Sequence, residues 1–198
     1  SAVTPGVFPR DGFAERDMDE LWDANVSVIK GAIEKSGIRP EQLAVISFSG
    51  HGKGLYLVGY DGKPVRNGIN STDTRAWEYV RRWNENGAAK RVLSINKQKI
   101  LPCQPVSLLA WLQDHEPQML EKTQYIFMVK DYIRYRLTGQ AYLEYSDISG
   151  GNLINMTTGT YDAELLRLFG LSGISAKLPP LKYAHEICGY VTAEAGAL

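Results

Sequence analysis

The chain has 198 residues, 44% of them hydrophobic, and its 22 Lys and Arg balance 22 Asp and Glu to a formal net charge of zero. That length supplies one ordinary domain and is too short for two large ones. A zero balance, with only the short basic clusters Arg81-Arg82 and Lys97 with Lys99, argues against nucleic acid or a membrane surface as partner.

Residues 1–16 are polar and carry Pro5, Pro9 and Gly12, so they do not read as a signal peptide. A helix is expected over residues 17–36: Asp17 is a good N-cap with Glu20 three positions on, Leu21, Val26, Ile29 and Ile33 form an apolar stripe, and Gly37 suits a left-handed C-cap. Residues 43–48 are a continuous apolar run of strand length, followed by Ser49-Gly50-His51-Gly52-Lys53-Gly54 and a second strand-like run over 55–60. Asp61-Gly62 signals a turn, with residues 64–66 as a returning hairpin arm. Helical spacing then begins at Asp73 and stops at Asn86-Gly87, and a short helix is expected over 89–96. A further helix over 105–113 is punctuated by Pro117. A buried strand over 125–129 leads into a helix over 131–137 that Gly139 closes, and residues 141–145 read as a short strand. Asp162 caps a helix through Phe169, and the tail after Pro179-Pro180 is looser. Alternating strands and helices predict a layered α/β domain.

No apolar run approaches the ~20 residues of a membrane span, which predicts a soluble chain. Cys103 and Cys188 form no CxxC pair, and His51, His115 and His185 have no metal-ligand spacing. Reduced thiols in the cytoplasm are expected, without zinc or disulfide, and His115 and His185 read as surface or packing residues.

Three segments carry candidate chemistry. In residues 49–54 three glycines bring backbone close to a ligand and interleave His51 and Lys53, at a strand end where ligands of α/β sheets sit. The spacing matches neither GxGxxG nor GxxxxGK[ST], and a plain strand connection explains it too. In Ser71-Thr72-Asp73-Thr74-Arg75, Asp73 reads either as a helix cap or as a carboxylate accepting from substrate hydroxyls with Arg75 orienting it; the two roles are compatible. Asp147, Ser149 and Asn152 stand beside Gly150 and Gly151, where a turn explains them equally well.

The order of these segments resembles the N-terminal, sugar-binding domain of the FGGY family of carbohydrate kinases. The resemblance rests on Ile46 through Leu57 with Asp61-Gly62-Lys63-Pro64, on Ser71 through Ala76, and on Lys130 through Gly139 with Tyr145 through Gly150. It implies an actin-like, ribonuclease-H-like ATPase fold, of which this chain is the N-terminal domain over 1–198 without the first strands. Sugar would be held at His51, Gly52, Lys53, Asp73, Arg75, Cys103 and Gln104. ATP and Mg2+ would be held by a C-terminal ATPase domain, and the general-base aspartate would lie beyond Leu198. These residues alone are expected to be inactive and to need no cofactor, and an edge left by absent strands is expected to pair with a second copy.

The departures from the family pattern are Leu108 for a lysine, Ser71 for a tryptophan and His51-Gly52-Lys53 for the usual substrate loop. They point away from glycerol and D-xylulose and towards a ketopentose kinase of the L-xylulose-directed branch. Action on 3-keto-L-gulonate, D-xylulose or gluconate, and a non-catalytic sugar-binding module, are the alternatives.

Overall fold

The computed structural model describes residues Ser1–Leu198. A short strand β1 (Glu15–Arg16) precedes the long helix α1 (Met18–Ser36). Asp17 Oδ1 accepts from the amides of Asp19 and Glu20 at 2.8 and 2.9 Å, and Gly37 closes the helix at φ 68°, so both expected caps are in place. The middle of the chain runs β2 (Tyr56–Gly59), β3 (Gly68–Ile69), α2 (Trp77–Glu85), α3 (Ala88–Asn96), α4 (Pro105–His115), α5 (Pro117–Lys122), β4 (Thr123–Phe127) and α6 (Val129–Thr138). The remainder is β5 (Leu143–Glu144), α7 (Tyr145–Ile148), β6 (Ile154–Asn155), β7 (Thr160–Tyr161), α8 (Ala163–Leu168), β8 (Leu181–Lys182) and α9 (Ala193–Gly196).

β2 is the centre of the molecule. It pairs antiparallel with β4, Tyr56 opposite Phe127, and Tyr56, Leu57 and Val58 are fully buried. Burial on both faces explains why β2 reads as an unbroken apolar run. The hairpin at Asp61-Gly62 forms as expected, with Val65 N donating to Leu57 O at 3.0 Å. Around this pair, α4 is buried from Pro105 to Leu112 and serves as the central helix. Helix α6 joins α1 through the Tyr132 hydroxyl, which donates to Met18 O at 3.2 Å, and through Arg136 lying over the Trp22 ring. His115 stacks on Trp111 and His185 on Tyr183, in the packing roles expected of them.

Three expectations change. Residues 43–48 form no strand: no segment pairs with them, and Leu43, Val45 and Ile46 are exposed. An apolar run becomes a strand only where partners take its N–H and C=O groups. The helix expected from Asp73 begins at Trp77. Pro117 starts a helix instead of merely ending one, since proline's missing N–H costs nothing at a first helical position.

Candidate functional site

Gly68 is where this site begins. A Cβ there would collide with Cδ1 and Cε1 of Tyr56, so only glycine lets the Tyr56 ring lie across β3. The ring is thereby aimed at residues 49–54: its hydroxyl sits 3.2 Å from His51 Nε2 and donates to Asn70 Oδ1 at 3.3 Å. Burial, opposed only partly by Arg16, raises the Tyr56 phenol well above its ordinary range, so it stays a neutral hydroxyl.

The loop is fastened at its far end. Gly54 N donates to Cys103 O at 2.9 Å, and at φ 76° a Cβ on Gly54 would stand 2.5 Å from Ile69 O. Lys53 itself takes a left-handed backbone, φ 67°, a conformation rare for a side-chain-bearing residue outside functional or tightly held loops. Burial pushes the Cys103 thiol up, while the nearby Lys53 charge draws it partly back. His51, Lys53, Asn70 and Cys103, all partly exposed, therefore converge where the loop, the end of β3 and the approach to α4 meet.

Asp73 and Arg75 have a different place. Asp73 Oδ1 accepts from Arg75 N and Nε at 2.9 and 3.0 Å, and Oδ2 from Arg75 Nη2 and Ala14 N at 2.9 and 2.7 Å. Four hydrogen bonds saturate a carboxylate, and Asp73 is wholly buried. It neither caps α2 nor faces outward; it ties the N-terminal segment to the segment after β3. Gln104 is similarly engaged. Its Oε1 accepts from Leu101 N and from Asn152 Nδ2, and its Nε2 donates to Gly150 O at 2.9 Å and Gln98 Oε1 at 3.3 Å. Asn152 belongs to this buried network, accepting from Asn96 Nδ2 at 2.6 Å.

Beside the loop lies a charged cluster. Lys130 Nζ, near the start of α6, is 3.4 Å from Asp131 Oδ1, 3.4 Å from Glu144 Oε2 and 3.3 Å from Asp147 Oδ2. Burial raises Asp131 and Asp147 above the usual carboxylate range, with Lys130 opposing in both. Burial works the same way on Glu144, but hydrogen bonds from the Ser146 hydroxyl and amide outweigh it and hold that carboxyl low. Two surface concavities, about 420 and 290 Å³, lie elsewhere: one lined by Thr138, Tyr142 and Cys188, the other by Glu78, Arg82 and His115.

The profile of the FGGY family of carbohydrate kinases, N-terminal domain, matches residues 3–198. The chain belongs to the FGGY family of carbohydrate kinases. It is 43% identical to a probable L-xylulose kinase of Pasteurella multocida over 94% of its own length and 39% of that protein's. It is also 43% identical to the L-xylulose/3-keto-L-gulonate kinase of Escherichia coli, over 96% of this chain and 38% of the other. Among solved structures it superposes on a gluconate kinase from Lactobacillus acidophilus with a TM-score of 0.90 at 24% identity, covering 99% of this chain and 39% of that one. A xylulose kinase from Rhodospirillum rubrum gives 0.86 at 25% identity, over 98% and 40%. The fold is thus the mixed α/β, actin-like one of FGGY N-terminal domains, and the chain spans about two fifths of the length of the curated relatives it matches.

Family members use ATP and a divalent ion. The residues of this FGGY domain do not fit that group: no three His, Cys, Asp or Glu side chains converge as metal ligands, and Gly54 N in the loop is already taken by Cys103 O. Tyr56, Asn70 and Lys130 escape a reading of the sequence. A lone tyrosine in an apolar strand reads as core, and the only hint is the run of polar residues, Asn70 to Thr74, after β3.

Proposed function

We propose that this chain is the sugar-binding domain of an ATP-dependent ketopentose kinase whose substrate is L-xylulose. The observation that carries the reading is 43% identity to two kinases named for L-xylulose, across nearly the whole chain. The geometry supplies a means. A neutral polyol offers only hydroxyls, so recognition rests on hydrogen bonds, and each buried polar group left unpaired costs about 1–3 kcal/mol. His51, steadied by Tyr56, presents an imidazole; Lys53 presents an ammonium, and Asn70 an amide. Asp73, Arg75 and Gln104 hold the backbone that aims these groups, and Cys103 fills the wall beside Lys53. These residues bind and orient the sugar so that one hydroxyl points out of the wall. MgATP, when bound to the full-length enzyme, would supply the phosphoryl group, and no residue of this chain is assigned to hold it or to act as general base.

A specific observation favours 3-keto-L-gulonate as a second substrate. Lys53 stands outside every ion pair in the chain, and a free ammonium suits a sugar acid. The test is an ADP-coupled assay of the full-length protein with L-xylulose, D-xylulose, 3-keto-L-gulonate, gluconate and glycerol. The expected result is highest kcat/KM with L-xylulose and, in Lys53→Ala, a larger loss with the acids than with the neutral sugars. Binding without turnover of any sugar would favour a non-catalytic module instead.

A further inference from the structure

The acidic cluster at α6 and α7 has one member whose chemistry is incomplete. Asp131 accepts from Arg134 Nη1 at 2.8 Å, and Glu144 from the Ser146 hydroxyl and the amides of Ser146 and Asp147. Asp147 has no such donor. Its side chain is 8% exposed, and its buried Oδ2 accepts no hydrogen bond. Lys130 is shared with two other carboxylates and reaches Oδ2 only as an ion pair at 3.3 Å.

The other oxygen faces the substrate loop. Asp147 Oδ1 lies 3.4 Å from where a Cβ on Gly52 would stand. Gly52 separates His51 from Lys53, so between those two side chains the wall opens onto a carboxylate.

We propose that Asp147 is a specificity-determining residue, reached past Gly52, whose loop-facing Oδ1 accepts a hydrogen bond from one hydroxyl of the ketose. The inference rests on the kinase reading above. A hydroxyl fits because it is small, neutral and a donor. A phosphate or carboxylate would meet the like charges of Asp131, Glu144 and Asp147, and a metal ion would meet the Lys130 ammonium. A ketose with that hydroxyl inverted or removed leaves Asp147 unpartnered, and sites built to bond a hydroxyl reject analogues lacking it.

The test measures kcat and KM of the full-length protein and of Asp147→Asn and Gly52→Ala with L-xylulose, its pentulose epimers and its deoxy analogues. Asp147→Asn is expected to raise KM for L-xylulose about tenfold or more with kcat within about twofold. Its preference over at least one epimer or deoxy analogue falls by a similar factor. Gly52→Ala, which closes the opening and keeps the carboxylate, is expected to collapse the same preference, and it decides the matter if Asp147→Asn does not fold. Unchanged preferences in both variants, or equal losses on every sugar accompanied by a lowered Tm, would overturn the inference while leaving the kinase reading intact. A wild-type protein that phosphorylates no ketose overturns that reading, and this inference falls with it.

Discussion

Arg75 grips Asp73 with its backbone amide, its Nε and its Nη2 at once, while its guanidinium lies 4.0 Å from the centre of the Phe13 ring. Nη2 also donates to Glu15 Oε1 at 2.7 Å, and Glu15 is held in turn by Arg66. Leaving either member of such a buried pair alone costs about 3–5 kcal/mol. Asp73→Ala or Arg75→Ala should therefore lower the urea midpoint sharply. Lys53→Ala should stay within about 0.5 kcal/mol of wild type and lose sugar affinity. Wild-type stability in Asp73→Ala would return Asp73 to the list of direct sugar contacts.

Gly68→Ala should disturb both fold and site, because the new methyl group occupies space the Tyr56 ring now fills. Overpacking of this kind costs about 1–3 kcal/mol. Tyr56→Phe keeps the ring and removes only the hydroxyl that meets His51 and Asn70, for about 1 kcal/mol. A larger drop in sugar affinity than in Tm for Tyr56→Phe, read by titration and thermal melts, is the expected pattern.

Cys103 should report on Lys53. Its raised thiol should alkylate slowly at neutral pH and accelerate only above the ordinary cysteine range. Because Lys53 draws the value down, Lys53→Ala should slow alkylation at fixed pH, and bound sugar should slow it in wild type. Mass-spectrometric labelling rates against pH check all three.

Asp147 should carry a pH signature in stability. A carboxyl raised by burial stabilises the fold in its protonated form and loses that contribution as pH climbs from about 4 through its folded value. The Tm of Asp147→Asn relative to wild type should therefore rise between about pH 4 and 7. Glu144 has the opposite sign: held low, it stabilises at neutral pH and loses that effect as pH falls. Glu144→Gln should thus be costlier at neutral pH than in acid.

What could be read from the sequence was what neighbours decide. Asp17 and Gly37 mark the ends of α1 because a cap involves residues two or three positions away. The glycines of residues 49–54 announced a special loop for the same reason. The tie from Asp73 to the N-terminal segment was not legible, because Ala14 N, which donates to it, lies 59 positions away, beyond any local pattern. Tyr56 was hidden in the same way, since its importance depends on Gly68 lying beneath its ring. Residues 43–48 had the right composition for a strand, but ladder partners are a tertiary property.

That last segment also governs how the domain behaves in a test tube. Its backbone, paired with no strand and flanked by the exposed side chains of Leu43, Val45 and Ile46, invites an extended peptide to zip onto it. Concentrated samples of the isolated domain should scatter light increasingly with dose. One lysine at Val45 should clear the solution, giving crystallographers and calorimetrists a tractable specimen.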